Sequence, residues 1–338
     1  MAAVRPLIGI TLGDPAGIGP ELVLQALNAP GLRNLARFAV YGNAALLRRV
    51  AQTAHQPWAA DLQIVPVTSS QTSLPRANVP LLLDFPNDEV AAIAPGQMHA
   101  ACGRMAATWI EAAARDALAG RIDAVVTAPL NKEALHLAGV PYPGHTEMLA
   151  ALSKSAHTTM LFWSPDLIVG LATIHLPIAK VPAALTQEKV LDAIRSTAAT
   201  ARRFGRAEKP IAVLALNPHA GEHELFGHEE ETVIKPAMDT ARAEGIHVVG
   251  PLVPDIAFQE TQRRQYAAYV AMYHDQGLIP FKMLAFAEGV NITLGLPFVR
   301  TSPDHGTAFD IAWKGTASPT SLFAAIRCAA LLVAGKPD

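Results

Sequence analysis

Cysteine is nearly absent from this chain: Cys102 and Cys328 are the two in 338 residues, far apart and outside any ligand-like spacing. A disulfide framework and a thiolate metal cluster are therefore excluded as organising features, and two reduced thiols in a cytosol are the expectation. Charge is also sparse. Charged residues make up 17% of the chain, the net charge is −2, and Lys and Arg nowhere form a run. That balance removes nucleic acid and anionic membrane as expected partners, while leaving room for a local basic pocket. No stretch approaches the ~20 apolar residues of a spanning helix. The N-terminal "MAAVRPLIGITLGDP" meets Gly13, Asp14 and Pro15 too early for a signal peptide. A soluble, cytoplasmic protein is expected.

Apolar residues, by contrast, reach 51%. A chain of this length carries more than one small core, so two lobes or one large α/β domain are expected. Short β-rich runs alternate with helical stretches: "PLIGITL" then "GPELVLQAL", "IDAVVTAP" then "LNKEALHLAG", "PIAVLALNPH" then "EEETVIKPAMDTARAEG". Strands apolar on both faces and separated by helices read as βαβ units with mainly parallel sheets. Residues 97–120 form a long Ala-rich helix candidate between Gly96 and Gly120. The stretch "PVTSSQTSLPRANVP" reads as a connection or hairpin.

Three apolar strands end in histidine: "LATIHLP" at His175, "VLALNPHAGE" at His219 and "VAMYHDQG" at His274. Open α/β sheets bind ligands at the carboxyl ends of their strands. One such imidazole can be a simple cap; three at equivalent places form a candidate site for a divalent ion. "YPGHTEML" presents His145 and Thr146 at a helix start, which suits either an N-cap or an anion. Lys282, Asn291 and Arg300 could clamp a phosphate or carboxylate.

The dinucleotide and nucleotide fingerprints are missing. "GDPAGIGPE" is neither GxGxxG nor a Walker loop. It is a tight βα turn, or a loop that brings backbone close to a ligand with Asp14 and Glu21 taking part. A second loop, "DHGTAFDIAWKGTASP", joins a glycine turn to His305, Thr307 and Asp310. A carboxylate there suits an adenosine ribose hydroxyl and repels a 2′-phosphate, which favours NAD over NADP.

Together "GDPAGIGPE", "GHTEML", "TIHLP", "LNPHAGE", "MYHDQG", "VNITLGLPF" and "RTSPDHGTAFDIA" resemble the 4-hydroxythreonine-4-phosphate dehydrogenases of pyridoxal 5′-phosphate biosynthesis, in order and over nearly the whole chain. The resemblance implies a two-lobed α/β/α fold of the isocitrate/isopropylmalate dehydrogenase type, with mainly parallel sheets, and not a standard Rossmann fold. We expect a cofactor-side lobe of residues 1–130 plus 290–338, and a substrate, metal and dimerisation lobe of residues 131–289. The implied metal ligands are His175, His219 and His274, holding zinc, cobalt or magnesium near the interface of a homodimer. His145, Thr146, Lys282, Asn291 and Arg300 become substrate-binding residues, and His305, Gly306, Thr307 and Asp310 cofactor-binding ones. Lys282 is the first candidate for proton handling, with Asp255 and Asp275 behind it. Two places depart from the family pattern. Trp313 stands where a glycine is usual, and His223 and Glu224 stand where smaller residues are expected.

The implied reaction is the NAD-dependent oxidation of 4-phosphooxy-L-threonine, followed by decarboxylation to 3-amino-2-oxopropyl phosphate. The alternatives are a dehydrogenase of 4-phosphothreonate or 4-phosphoerythronate, and, more remotely, a metal-dependent sensor of a phosphorylated metabolite.

Overall fold

A computed structural model describes residues 5–67, 74 and 78–335. Most of "PVTSSQTSLPRANVP", read above as a connection or hairpin, lies outside the described residues. The chain divides into two compact units, one built from the residues up to Thr158 together with Leu296–Ala334, the other centred on Thr159–Gly295.

Along the chain the first unit's strands are β1 (Leu7–Thr11), β2 (Arg37–Gly42), β3 (Gln63–Pro66), β4 (Leu81–Asp84) and β5 (Ala124–Thr127). The second unit follows with β6 (Thr159–Trp163), β7 (Ile168–Leu171), β8 (Ile211–Leu214), β9 (Val248–Leu252), β10 (Ala268–Ala271) and β11 (Val290–Leu294). The chain then returns to the first unit with β12 (Val299–Pro303).

In the first unit the strands lie in the order β3-β4-β2-β1-β5-β12, and every described pairing is parallel. Strands β1 and β5 are buried along their whole length, as strands covered by helices on both faces must be. The order reverses beside β1, where the chain passes to β2 on one side and β5 on the other. The loops leaving β1 and β5 meet there: the Asp14 amide donates to the Pro129 carbonyl at 2.8 Å.

The boundary falls at 158, not at 130, because the helices Lys132–Leu137 and His145–Ser153 pack on the long helix Ala100–Leu118 of the first unit. Gly103 makes this possible. A Cβ there would stand 2.0 Å from the Ala134 carbonyl oxygen, so any side chain would push the 132–137 helix away. The long helix begins at an N-cap supplied by His99, whose Nδ1 accepts from the Ala101 amide.

In the second unit the order is β11-β6-β7-β10-β8-β9. The pairs β11/β6 and β6/β7 are antiparallel, while β7/β10, β10/β8 and β8/β9 are parallel. Phe162, Val169, Leu214, Tyr269, Leu278 and Phe281 form its core. The helix His274–Ala285 lies on this sheet through Gly277, where a Cβ would meet Val169 and Leu171 side chains at 2.8 and 2.9 Å. That close approach accounts for the glycine of "YHDQG". It brings the start of the helix down to the end of β10.

Candidate functional site

The three histidines follow three neighbouring strands. β7, β10 and β8 are adjacent and parallel, and His175, His274 and His219 come three to five residues beyond their carboxyl ends. The sequence reading of histidines at strand ends therefore has a spatial counterpart, at one edge of one sheet. The His175 and His274 rings lie 5.6 Å apart, centroid to centroid. His274 opens its helix and donates from Nδ1 to Asp275 Oδ1 at 2.7 Å. His219 does the same to Glu222 Oε2 at 2.9 Å. An imidazole whose Nδ1 proton is held by a carboxylate presents its Nε2 lone pair outward, which is the form that ligates a metal. Among the described residues of one chain, however, no three His, Cys, Asp or Glu side chains converge closely enough to hold an ion. The donor chemistry fits a divalent cation, and two of the three expected ligands are close together.

The carboxylates behind the imidazoles are what the sequence reading did not see. Asp275 was considered as a proton-handling group, but its carboxylate is engaged with His274. Glu222 drew no attention, although its i+3 spacing from His219 in "HAGE" was the available signal. Asp255 lies exposed in the short helix Pro254–Ala257. Lys282 is half-buried, two turns beyond His274 on the same helix. Asn291 sits in β11 with its Oδ1 buried and without a hydrogen-bond partner.

The loop that carries His219 is unusual. His219, Ala220, Gly221, Glu222, His223 and Glu224 all have positive φ, from 44° to 82°. Non-glycine residues pay about 1–2 kcal/mol each for this conformation. His223 and Glu224 thus occupy backbone that glycine adopts freely.

The first unit carries a separate cationic cluster. Arg300 in β12 is 3% exposed and donates from Nη2 to Thr127 Oγ1 at the end of β5, at 2.7 Å. Burial lowers its pKa to about 10, against the partial support of Glu147. His145 is the first residue of the helix His145–Ser153, with its Nε2 buried and no hydrogen-bond partner for it. Burial first, then the charges of Arg300 and Lys132, holds its imidazole neutral, well below the usual range. Lys132 and Glu147 flank the same turn: a Cβ on Gly144 would stand 3.6 Å from Lys132 Cε and 3.5 Å from Glu147 Oε2. Thr146 is half-buried beside His145. A buried Arg, a neutral imidazole and a helix N-terminus together favour an anion.

The two glycine-containing loops of the first unit pack on one another. Residues 11–20 are wholly buried, so "GDPAGIGPE" acts as a platform. Its Ile18 amide donates to the Thr307 carbonyl at 3.0 Å, and Glu21 accepts from the Gly315 amide at 2.9 Å. Asp14 caps its own loop by accepting from the Ala16 amide, and burial raises its pKa to about 6. Trp313 adopts φ 61°, a left-handed conformation that glycine adopts freely. It stays there because it is 2% exposed, donates from Nε1 to the Pro15 carbonyl, and lies under the Arg49 guanidinium at 5.2 Å. Above this base, His305 has a buried Nε2 without a hydrogen-bond partner, Gly306 is exposed, and Asp310 points an exposed carboxylate from a single 3₁₀ turn.

Comparison with known proteins identifies the family. The family described as pyridoxal phosphate biosynthetic protein PdxA matches residues 34–329. A 4-hydroxythreonine-4-phosphate dehydrogenase of Desulforapulum autotrophicum is 42% identical, over 97% of this chain and 95% of its own length. A D-threonate 4-phosphate dehydrogenase of Pectobacterium atrosepticum is also 42% identical, over 96% and 98%. The crystal structure of 4-hydroxythreonine-4-phosphate dehydrogenase from Klebsiella pneumoniae superposes with a TM-score of 0.85 at 40% identity, covering 98% of this chain and 99% of that one. The chain belongs to the PdxA family of pyridoxal phosphate biosynthetic proteins.

Proposed function

We propose that this dehydrogenase oxidises the C3 hydroxyl of 4-phosphooxy-L-threonine with NAD and releases carbon dioxide, leaving 3-amino-2-oxopropyl phosphate. The observation that carries the reading is the buried Arg300–Thr127 pair beside a neutral His145, a ready-made anion site in a member of this family. His145, Thr146, Arg300, Lys282 and Asn291 would be the residues that bind the substrate's anionic groups. Remote binding of this kind fixes the reacting carbon without adding chemistry of its own.

His175, His219 and His274 would hold a divalent cation through Nε2. Such an ion would supply Lewis-acid polarisation at the hydroxyl being oxidised, and His305, Gly306, Thr307 and Asp310 would hold NAD, whose chemistry is that of a hydride acceptor. Asp275 and Glu222 keep two of these imidazoles in the ligating tautomer. Lys282 would take the hydroxyl proton at Nζ when its amine is unprotonated, with Asp255 the second candidate. Lys282→Met enzyme with unchanged turnover across the pH range would remove Lys282 from that role.

A second copy of the chain completes the histidine site in this reading. Exposed apolar side chains follow each ligand: Leu176 and Ile178 after His175, Leu225 and Phe226 after His219, Ile279 and Met283 after His274. Apolar groups concentrated in this way mark a surface that a partner covers. Both cysteines are buried and unpaired, which suits a reducing cytoplasm. Among the described residues no helix is long and apolar enough to cross a membrane.

The equal identity to a D-threonate 4-phosphate dehydrogenase supports a second reading, in which the C2 substituent is a hydroxyl. NADH formation from each phosphorylated acid, with metal stripped and then restored, decides between them. Faster, metal-dependent turnover of the threonine derivative is the expected result. Preference for 4-phosphothreonate would keep the chemistry and overturn the substrate.

A further inference from the structure

The three strand ends that carry histidine are tied together by side chains that have no place in the reaction just described. Thr173, two residues before His175, donates from Oγ1 to the Met272 carbonyl at 2.7 Å, and its amide donates to the same oxygen at 3.2 Å. Gln276 accepts from the Met272 amide at 2.7 Å and donates to the Ala215 carbonyl at 2.7 Å. One carboxamide thus spans the end of β10, two residues before His274, and the end of β8, four residues before His219. Glu230 takes up the next step. It is 2% exposed; Oε1 accepts from the Leu216 and Asn217 amides, each at 2.8 Å, and Oε2 from Asn217 Nδ2 at 2.9 Å. A Cβ on Gly221 would stand 2.9 Å from Glu230 Oε2, so the carboxylate lies directly against the left-handed loop of His219.

Buried carboxylates are costly unless every lone pair has a donor, and this one faces three. What they hold is a run of six positive-φ residues, a conformation that persists only where its surroundings dictate it. We propose that Glu230 and Gln276 are positioning residues that set where the His219 and His274 imidazoles stand, and so tune the affinity of the histidine site for its metal. Neither side chain is paired with an imidazole; each acts through the backbone that carries one. The proposal rests on the reading of His175, His219 and His274 as metal ligands.

The test uses the full-length protein, stripped of metal and titrated with Co²⁺, following the visible absorption of the bound ion. Thermal unfolding of the metal-free protein is measured in parallel. Wild-type protein is expected to bind, with Glu230→Ala and Gln276→Met each weakening binding by about 10–100-fold, the usual loss when the groups that orient a ligand are removed. Glu230→Gln keeps an oxygen for the two backbone amides and should recover most of the affinity that Glu230→Ala loses. Tyr269→Phe is the control. It deletes another hydrogen bond of this unit, from the Tyr269 hydroxyl to the Ala257 carbonyl at 2.7 Å, and should lower the unfolding temperature without changing Co²⁺ affinity. If Glu230→Ala fails to fold, Gln276→Met carries the test alone, since it retains side-chain volume. Variants that unfold earlier yet bind Co²⁺ within twofold of wild type would overturn the proposal. Wild-type protein that binds no Co²⁺ would instead overturn the metal reading beneath it.

Discussion

The two units prepare for their ligands in opposite ways. The first has its charge in place before anything binds: Arg300 is buried, tethered to Thr127 and kept cationic up to a pKa of about 10, and His145 is locked neutral. The second keeps the carboxylates beside its histidines, Asp275 and Glu222, at the surface. Each imidazole is exposed or half-buried, two are aligned by carboxylates, and the positions depend on a hydrogen-bond frame that reaches back to Glu230. A buried cation costs desolvation free energy, which the fold has already met when an anion arrives. Imidazoles left near the surface cost little to maintain, and in the proposed site an ion would complete them. Preorganisation by charge and preorganisation by frame should therefore fail differently when cut.

The largest expected effect is at the frame's end point. His219→Ala or His274→Ala should reduce turnover by about a thousandfold, because each is a ligand of the ion in the proposed site. The first unit's anion site should be untouched, so inorganic phosphate should still protect the protein against thermal unfolding. Loss of both effects in one variant would erase the contrast between the units.

Cutting the charged site comes next. Arg300→Met should raise KM by about 100-fold with a smaller change in kcat, since a buried charge-assisted contact is worth about 1.5–3 kcal/mol. The pH profile sharpens the point. Arg300 is charged below its pKa of about 10 and neutral above it, so substrate binding should be lost as pH rises through about 10. His145, held neutral well below its usual range, should add no inflection to KM between about pH 6 and 8. A KM that climbs through neutrality would mean that a protonated His145 is needed. The charge assignment would then be wrong.

Trp313 tests the cofactor-like loop. Replacing it with glycine would relieve about 1–2 kcal/mol of left-handed backbone cost, yet removing a fully buried Trp costs about 3–5 kcal/mol. Packing wins, so Trp313→Gly should destabilise the protein by roughly 1–4 kcal/mol in denaturant unfolding, as those two estimates imply. A neutral or stabilising result would show that Pro15 and Arg49 hold this ring only weakly.

How much of this could be read from sequence differs between the two units as well. Alternation of apolar runs and helical segments was enough for two units of mainly parallel sheet, and the motifs at the strand ends led to the PdxA family. The boundary near 158 was hidden, because Gly103 reads as an ordinary helix interruption until the 132–137 helix is seen lying against it. His175, His219 and His274 were legible because they stand at apolar strand ends. Gln276 and Glu230 were not. Each acts across 61 and 13 to 14 residues, through backbone atoms that leave no residue-type signature. Glu21 and Asp14 left two readings open in the sequence, a tight βα turn or a loop against a ligand; in the fold both are buried, and Glu21 accepts from the Gly315 amide as a packed turn does.

The smallest predicted effect bears on the strained loop, where the frame acts against backbone preference. His223 and Glu224 hold φ of 55° and 71°, and neither makes a described hydrogen bond through its side chain. Glycine at either position removes about 1–2 kcal/mol of left-handed cost but adds up to about 1 kcal/mol of unfolded-state entropy. The balance favours His223→Gly and Glu224→Gly, each by about 0.5–1 kcal/mol as the difference of those two terms, or a rise of about 1–3 °C in unfolding temperature. Because Glu230 grips the chain upstream, at Leu216 and Asn217, Co²⁺ affinity should move less than twofold. A stabilised loop that also bound Co²⁺ much more tightly would mean that strain at 223 and 224 reaches His219 itself, and that the frame does not isolate the ligand from the backbone beyond it.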